Sequence, residues 1–271
     1  NYCVREDGTE QCPRSLYERE QPQRTVQVTA FQLDATEVTT VDYAAWLNRQ
    51  PDLRFARHGR DRAEFVFQGD TPLLDISPSH TPPLGLAAQG GRFVVTPGRE
   101  RHPITQVTWE GALRYCRARG LRLPTEAEWE LAARGTERRT FPWGAEPPAC
   151  SDVVFLRRAQ KGWKQICSDL RVDTAPVGTH RRDQSPQGVY DLAGNVSEWV
   201  MDQFRPEYAV CEPPCLNPLW DPPPGEGPVQ RVIRSGDFGL PGASCRGATR
   251  GRAQQDEAWL QVGFRCAGPV K

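Results

Sequence analysis

Apolar positions along this chain come in short periodic bursts, separated by polar stretches rich in proline and glycine. The clearest burst is residues 121–135, LRLPTEAEWELAARG. Pro124 cannot continue a helix from upstream, the Thr125 hydroxyl can accept from the N3 amide, and Glu128 at N3 can reach back to the cap. Trp129, Leu131 and Ala132 then recur at helical spacing, and Gly135 supplies a left-handed stop. A helix is predicted here, its acids reading as capping groups and solvated surface. Residues 102–120 (HPITQVTWEGALRYCRARG) read as strand, Thr108 cap and helix, with Ala112, Tyr115 and Cys116 inward. Residues 41–50 read as a helix behind a threonine cap, with Tyr43, Trp46 and Leu47 on one face.

Alternation replaces the helical period in residues 25–34 (TVQVTAFQLD), a strand with a register change. In the long insert 51–101 only residues 64–67 and 93–95 look strand-like. Residues 150–188 have little periodicity and read as loop. Residues 189–200 (VYDLAGNVSEWV) read as a compact turn bracketed by aromatics, and 206–227 as a proline-dense surface loop. Residues 231–236, 245–252 and 262–267 close the chain as short strands. With no repeat and no clean linker, the pattern predicts one α+β domain over 25–271, preceded by a polar strap, 1–24.

The formal net charge of zero argues against a broad nucleic-acid surface, so no nucleic-acid partner is expected. No run of about 20 apolar residues exists, so no membrane span is expected. A start at Asn1 without Met fits a processed or trimmed chain. Pro 25, Gly 24 and a mean hydropathy of -0.63 describe a loop-rich protein. The nine cysteines change the picture most. They form no CxxC pair and the four histidines are scattered, which disfavours a zinc module. Cys3/Cys12 and Cys150/Cys167 sit in polar sequence where buried thiols are out of place. Disulfides in an oxidising compartment (secreted, periplasmic or cell-envelope) are the expectation, with Cys3–Cys12 closing the strap. The odd count leaves at least one cysteine outside an intrachain bridge.

The segment 191–198 makes a physical case for a metal. Asp191 and Glu198 bring carboxylates, and the tight turn between them can aim the carbonyls of Gly194 and Val196 at the same point. An all-oxygen set from a short loop suits Ca2+; an Asx-type turn without an ion is the alternative.

Five motifs, HPITQVTWEGALRYCRARGLRLPTEAEWELAARG, FPWG, GVYDLAGNVSEW, RVIRSGDF and GFRCA, occur here in the order found in the formylglycine-generating enzyme (sulfatase-modifying factor) family. The resemblance runs from about Thr25 to the C-terminus. It implies a variant C-type-lectin-like fold with few helices, a small twisted antiparallel sheet and much loop. It also implies calcium at Asp191, Gly194, Val196 and Glu198, and a second calcium at Asp152 with Val153 and Asp169 with Arg171, where solvated surface acids are the alternative. A Cys116–Cys266 disulfide follows from the same resemblance. The family's enzymes use two cysteines to bind copper and convert a sulfatase cysteine to formylglycine with O2. In this chain Cys245 matches the second of those cysteines and Leu240 stands at the first. A Cu(I) site of this kind needs two soft thiolates, so copper and oxidase activity are disfavoured. Cys211 or Cys215 could supply a second sulfur to Cys245. Alternatively those two pair with each other, or one of them bridges to Cys245. The iron-binding HxxxHxE pattern of a second branch is absent.

The resulting expectation is a non-catalytic, calcium-stabilised extracytoplasmic scaffold. It would bind a protein or peptide partner through a groove at Phe238, Leu240, Arg246 and Arg250. The rival is an active copper/O2-dependent oxidase acting through Cys245. Arg234, Arg246, Arg250 and Arg252 read first as strand-surface charge, and Trp109, Trp129, Trp143 and Trp199 as core aromatics.

Overall fold

A computed structural model describes residues 17–58, 63–78, 85–158, 164–166, 173–208, 211, 214–223, 225 and 227–270. Among the described residues the helices of eight residues or more are α1 (Thr40–Leu47), α2 (Trp109–Ala118) and α3 (Glu126–Arg134). Each is capped by the predicted type of residue. Thr39, Thr108 and Thr125 accept from the amides of Asp42, Gly111 and Glu128, and Thr125 with Glu128 completes a capping box.

The central sheet contains β9 (Ser197–Gln203), β10 (Gln230–Arg234), β11 (Arg250–Gln254) and β12 (Val262–Gly263), in the order β11-β10-β9-β12. The β9–β10 and β10–β11 pairs are antiparallel, while β12 joins β9 in parallel. Both faces of the sheet are covered. Trp199 and Ile233 enter a core with Tyr43, Trp109, Leu113 and Phe264, whereas Val200 and Val232 enter a second core with Trp129, Ala133 and Leu192. Burial on both sides removes the apolar–polar alternation, which is why the first half of β9, 197–200, read as part of a turn.

β1 (Phe31–Leu33) pairs with β13 (Ala267–Pro269), tying the two ends of the domain together. The predicted strand over 25–34 is thus shorter than expected, with an isolated bridge from Gln27 to Leu216. The 51–101 insert carries more strand than its sequence suggests: a meander of β2 (Leu53–His58), β3 (Ala63–Gln68) and β4 (Thr71–Asp75), then a hairpin of β5 (Leu86–Gln89) and β6 (Arg92–Val95). β2 is a largely exposed edge with no apolar stripe, and β4 contains Pro72; both features hide a strand from pattern reading. β7 (Leu156–Arg158) and β8 (Lys164–Ile166) form a further hairpin in the stretch expected to be loop.

Candidate functional site

The turn after Tyr190 owes its shape to two residues in the left-handed region, Asp191 at φ 58° and Asn195 at φ 67°, a conformation that Asp and Asn tolerate. Asn195 is held from three directions. Its Oδ1 accepts from the Ala175 N–H (2.9 Å), its Nδ2 donates to Glu37 Oε2 (2.8 Å), and its own N–H donates to the Val154 carbonyl (3.0 Å). Two glycines let neighbouring segments close on the turn. A Cβ on Gly194 would lie 2.3 Å from the Val154 oxygen, and one on Gly236 would lie 2.9 Å from the Ala193 oxygen and 3.2 Å from the Cys245 nitrogen. Residues 152–154, the 191–198 turn and the loop leading to Cys245 are therefore one packed unit.

Buried around this unit are the carboxyls of Glu37, Asp183, Asp191 and Glu198, facing the guanidinium of Arg265. Arg265 donates through Nε and Nη2 to the two Glu198 oxygens (2.8 and 2.7 Å), and Trp129 Nε1 adds a bond of 2.9 Å to the same carboxylate. Glu37 accepts from Asn195 and from the Val196 N–H (3.3 Å), and Asp191 accepts from the Gly178 N–H (2.6 Å). Asp183 Oδ2 accepts from the Ala193 N–H (3.3 Å), while Oδ1 is buried with no hydrogen-bond partner among the described residues. One cation against this many acids leaves a charge deficit, and the carboxyl pKa values register it. Burial, then the Asp191 charge, pushes Glu37 and Asp183 well above the usual carboxylate range. Burial also lifts Asp191 to about 6.

Of the oxygen set expected for calcium, Asp191 accepts from the Gly178 N–H and Glu198, at the start of β9, spends both oxygens on Arg265. Among the described residues no three His, Cys, Asp or Glu side chains converge as a ready cage. Glu37, Asp183 and Arg265 were missed by sequence reasoning. Each is remote in sequence from the turn or looked like ordinary surface charge, and only Arg265, inside GFRCA, lies in a recognisable motif. At the second expected site, Asp152 is already engaged. It accepts from Arg182 Nη1 (2.9 Å), the Ala149 N–H (3.2 Å) and the Ser151 hydroxyl (3.0 Å). Val153 is buried beside it, and Asp169 and Arg171 lie outside the described residues.

Cys245 ends a 3-10 turn, Gly242–Cys245, and is buried among Phe141, Val153, Phe155 and Ala193, with Trp143 and Cys150 packed against that cluster. Cys116 is bonded to Cys266 (S–S 2.00 Å), and Cys211 to Cys215. Cys150 is also in a disulfide, and Cys3, Cys12 and Cys167 lie outside the described residues. Cys211 and Cys215 are thus spent on each other and lend no thiolate to Cys245.

The expected partner groove needs correction. Phe238 and Arg250 are buried, 1% and 5% exposed, and only Leu240, at 39%, presents real surface. Arg246 forms a two-pronged pair with Glu20 (2.7 and 2.6 Å). The arginines read as strand-surface charge divide: Arg234 and Arg250 are buried, each bonded to Glu126, while Arg252 is exposed. Glu126 is correspondingly not solvated surface, whereas Glu128 caps as expected. The reason is helix phase: the Glu126 face of α3 meets the sheet and its arginines.

A family profile described as "Sulfatase-modifying factor enzyme 1-like domain" matches residues 4–269. A formylglycine-generating enzyme of Streptomyces coelicolor is 33% identical over 269 residues, 92% of this chain and 81% of the relative. One from Mus musculus is 31% identical, covering 94% of this chain and 70% of the relative. Among solved structures, PvdO from Pseudomonas aeruginosa is similar at TM-score 0.65 and 22% identity, covering 93% of this chain and 86% of that one. Treponema denticola variable protein 1 is similar at TM-score 0.56 and 20% identity, covering 91% and 87%. These likenesses extend over the described fold, including the α+β arrangement of few helices and small sheets.

Proposed function

The chain belongs to the sulfatase-modifying factor family, and from that premise we propose that it is a non-catalytic member: a calcium-stabilised extracytoplasmic scaffold that binds a protein or peptide partner on the surface around Leu240. The observation that carries this reading is sulfur chemistry. Where the family's oxidases have their first copper thiolate this chain has Leu240, and Cys116, Cys150, Cys211, Cys215 and Cys266 are all in disulfides. Linear Cu(I) coordination needs two thiolates, and a leucine side chain offers no donor. With Phe238 and Arg250 buried, the partner surface is narrowed to Leu240 and its exposed neighbours. Disulfides in the described residues support an oxidising compartment, and none of their helices is long and apolar enough to cross a membrane.

A second reading, an O2-dependent oxidase converting a protein cysteine to formylglycine, is favoured by the names of the curated relatives and by retention of Cys245. Titration with Cu(I), using ascorbate so that disulfides stay closed, separates the two. The scaffold reading expects no stoichiometric tight binding and no O2-dependent oxidation of a cysteine peptide. Tight binding that vanishes in Cys245→Ser, together with peptide oxidation, would overturn it.

Calcium is proposed at Asp191, the carbonyls of Gly194 and Val196, and Glu198, the last shared with or released from Arg265. The support is the excess of buried carboxyls over the Arg265 charge and the orphaned Oδ1 of Asp183. Calcium would supply the missing positive charge; the chain's part is to hold the acids in place through Asn195, Trp129 and the glycine contacts. A pH dependence follows. The raised pKa values mean that the folded chain keeps protons the unfolded chain gives up. Without metal, stability should therefore be greatest near the ordinary carboxylate range and fall as pH climbs through about 6, the value for Asp191. Calcium replaces those protons, so its stabilisation should be slight at pH 5 and large at pH 8. At a hundredfold excess over Kd the gain is about 2.7 kcal/mol, roughly 5–10 °C in melting temperature for a chain of this size. Melting in EDTA and in calcium at both pH values, for the native chain and Asp191→Ala, checks this. An equal calcium shift in the variant removes the assignment.

A further inference from the structure

Arg246 follows directly on the 3-10 turn that ends at Cys245, and its side chain reaches the N-terminal strap. Its guanidinium is used on two sides. Nη1 and Nη2 donate to the two oxygens of Glu20 (2.7 and 2.6 Å), and Cζ lies 4.5 Å from the centroid of the Tyr17 ring. A carboxylate on the edge and a ring on the face are the two ways in which a planar guanidinium is best recognised. Tyr17 and Glu20 stand on one turn of chain, closed by the Glu20 N–H donating to the Tyr17 carbonyl (3.1 Å). A single turn therefore satisfies both sides of the cation.

The two halves of this contact are held very differently. On the Arg246 side, Nε donates to the Ala243 carbonyl (2.9 Å), the Gly247 N–H donates to the Thr140 carbonyl (2.9 Å), and Arg234 Nη2 donates to the Gly247 carbonyl (2.6 Å). The slot is thus built on a fixed loop. On the strap side, none of residues 17–30 is fully buried and none enters an apolar core. Polar and stacking contacts hold the rest of the strap. The Arg19 carbonyl accepts from Arg250 Nη1 (2.8 Å), the Gln21 carbonyl accepts from the Tyr208 N–H (3.4 Å), and Arg24 stacks on Tyr208. A segment that buries so little apolar area opens at lower cost than the fold beneath it. Charge points the same way. Among the described residues Glu20 is the ion-pair partner of Arg246, and the two side chains are only 10% and 12% exposed. When the strap lifts, Glu20 leaves with it and the Arg246 charge is left unmatched.

We propose that the strap is an internal stand-in for a partner. The Arg246 slot receives an acidic turn of another protein, a carboxylate with an aromatic residue three positions before it, in exchange for Glu20 and Tyr17. Strap occupancy lowers the apparent affinity of that partner by the fraction of slots left open. The slot stands on Arg246 and the strap alone, and needs neither the calcium assignment nor the Leu240 surface.

Anisotropy titration of the full chain with a fluorescent peptide of residues 17–24 (YEREQPQR) tests the exchange. Glu20→Gln removes no buried apolar group, so its melting temperature should stay close to that of the native chain. The peptide should bind the Glu20→Gln chain saturably and at least fivefold more tightly than the native chain, because the tethered competitor is weakened. The same peptide carrying Glu20→Gln should bind about tenfold more weakly, the loss of a charged hydrogen-bonded pair. Adding Arg246→Gln to the Glu20→Gln chain should remove the tight binding. Arg246→Lys should restore only part of it, since lysine keeps the charge and loses the fork. No saturable binding at millimolar peptide, equal affinity for the native and Glu20→Gln chains, or equal affinity of the acidic and substituted peptides overturns the proposal. So does a native chain that sediments as a dimer and becomes monomeric in Glu20→Gln, because the slot would then serve a second copy.

Discussion

Glu126→Ala should cost about 3–5 kcal/mol of folding stability, the penalty for leaving buried charge without its partner. Glu126 is 3% exposed on the first turn of α3. Its Oε1 accepts from Arg234 Nη1 (2.9 Å) and Arg250 Nε (2.6 Å), and its Oε2 from Arg250 Nη2 (2.9 Å). Arg234 keeps Glu130 (3.1 Å) and the Gly247 carbonyl (2.6 Å) after the substitution. Among the described residues Arg250 keeps hydrogen bonds only to the carbonyls of Arg19 and Arg205, so a desolvated cation loses its counter-charge. Glu126→Gln, similar in shape but uncharged, should fall between native and alanine. Glu126→Leu combined with Arg250→Met should regain part of the loss, because removing both charges lifts the desolvation penalty. Urea unfolding read by circular dichroism measures all three; a loss below about 1 kcal/mol in Glu126→Ala would place the pair in the weak class of surface ion pairs.

The second large effect belongs to the Cys116–Cys266 bridge. It joins α2 to the segment just before β13 across a separation of 150 residues, and both cysteines are fully buried. Cross-linking a loop of that length removes unfolded-state entropy worth about 5 kcal/mol in the chain-entropy model, against about 2 kcal/mol for a four-residue loop such as Cys211–Cys215. Replacing both Cys116 and Cys266 by alanine should therefore lower the melting temperature by roughly 10–20 °C. The Cys211/Cys215 pair of alanines should lower it by less than half as much. Equal shifts in the two double variants would show that loop length is not what sets the stabilisation.

The elements that were readable from sequence are those whose signals are local. Thr108 and Thr125 cap helices because a hydroxyl needs only an amide two or three residues on. Gly135 stops α3 because its own φ, 60°, is open to glycine. The turn at 191–198 was recognisable because its carboxylates and carbonyls lie within eight residues. The strands β2 and β4 were not, because an exposed edge and a proline-bearing strand lack an apolar alternation that only burial on one face would enforce.

The sequence by itself determined the family motifs, the helix termini and the sulfur inventory. Tertiary structure alone decided which charges are interior. Glu126 and Glu128 are neighbours on one helix, yet one meets Arg234 and Arg250 beneath the sheet and the other caps its own chain. Glu37 and Arg265 converge on the same turn from opposite ends of the chain, and Asp183 joins them from just upstream. The physical reason is that capping and turn energies depend on adjacent backbone atoms, whereas the desolvation and Coulomb energies of a buried charge depend on every segment packed around it, and those segments lie tens to hundreds of residues away.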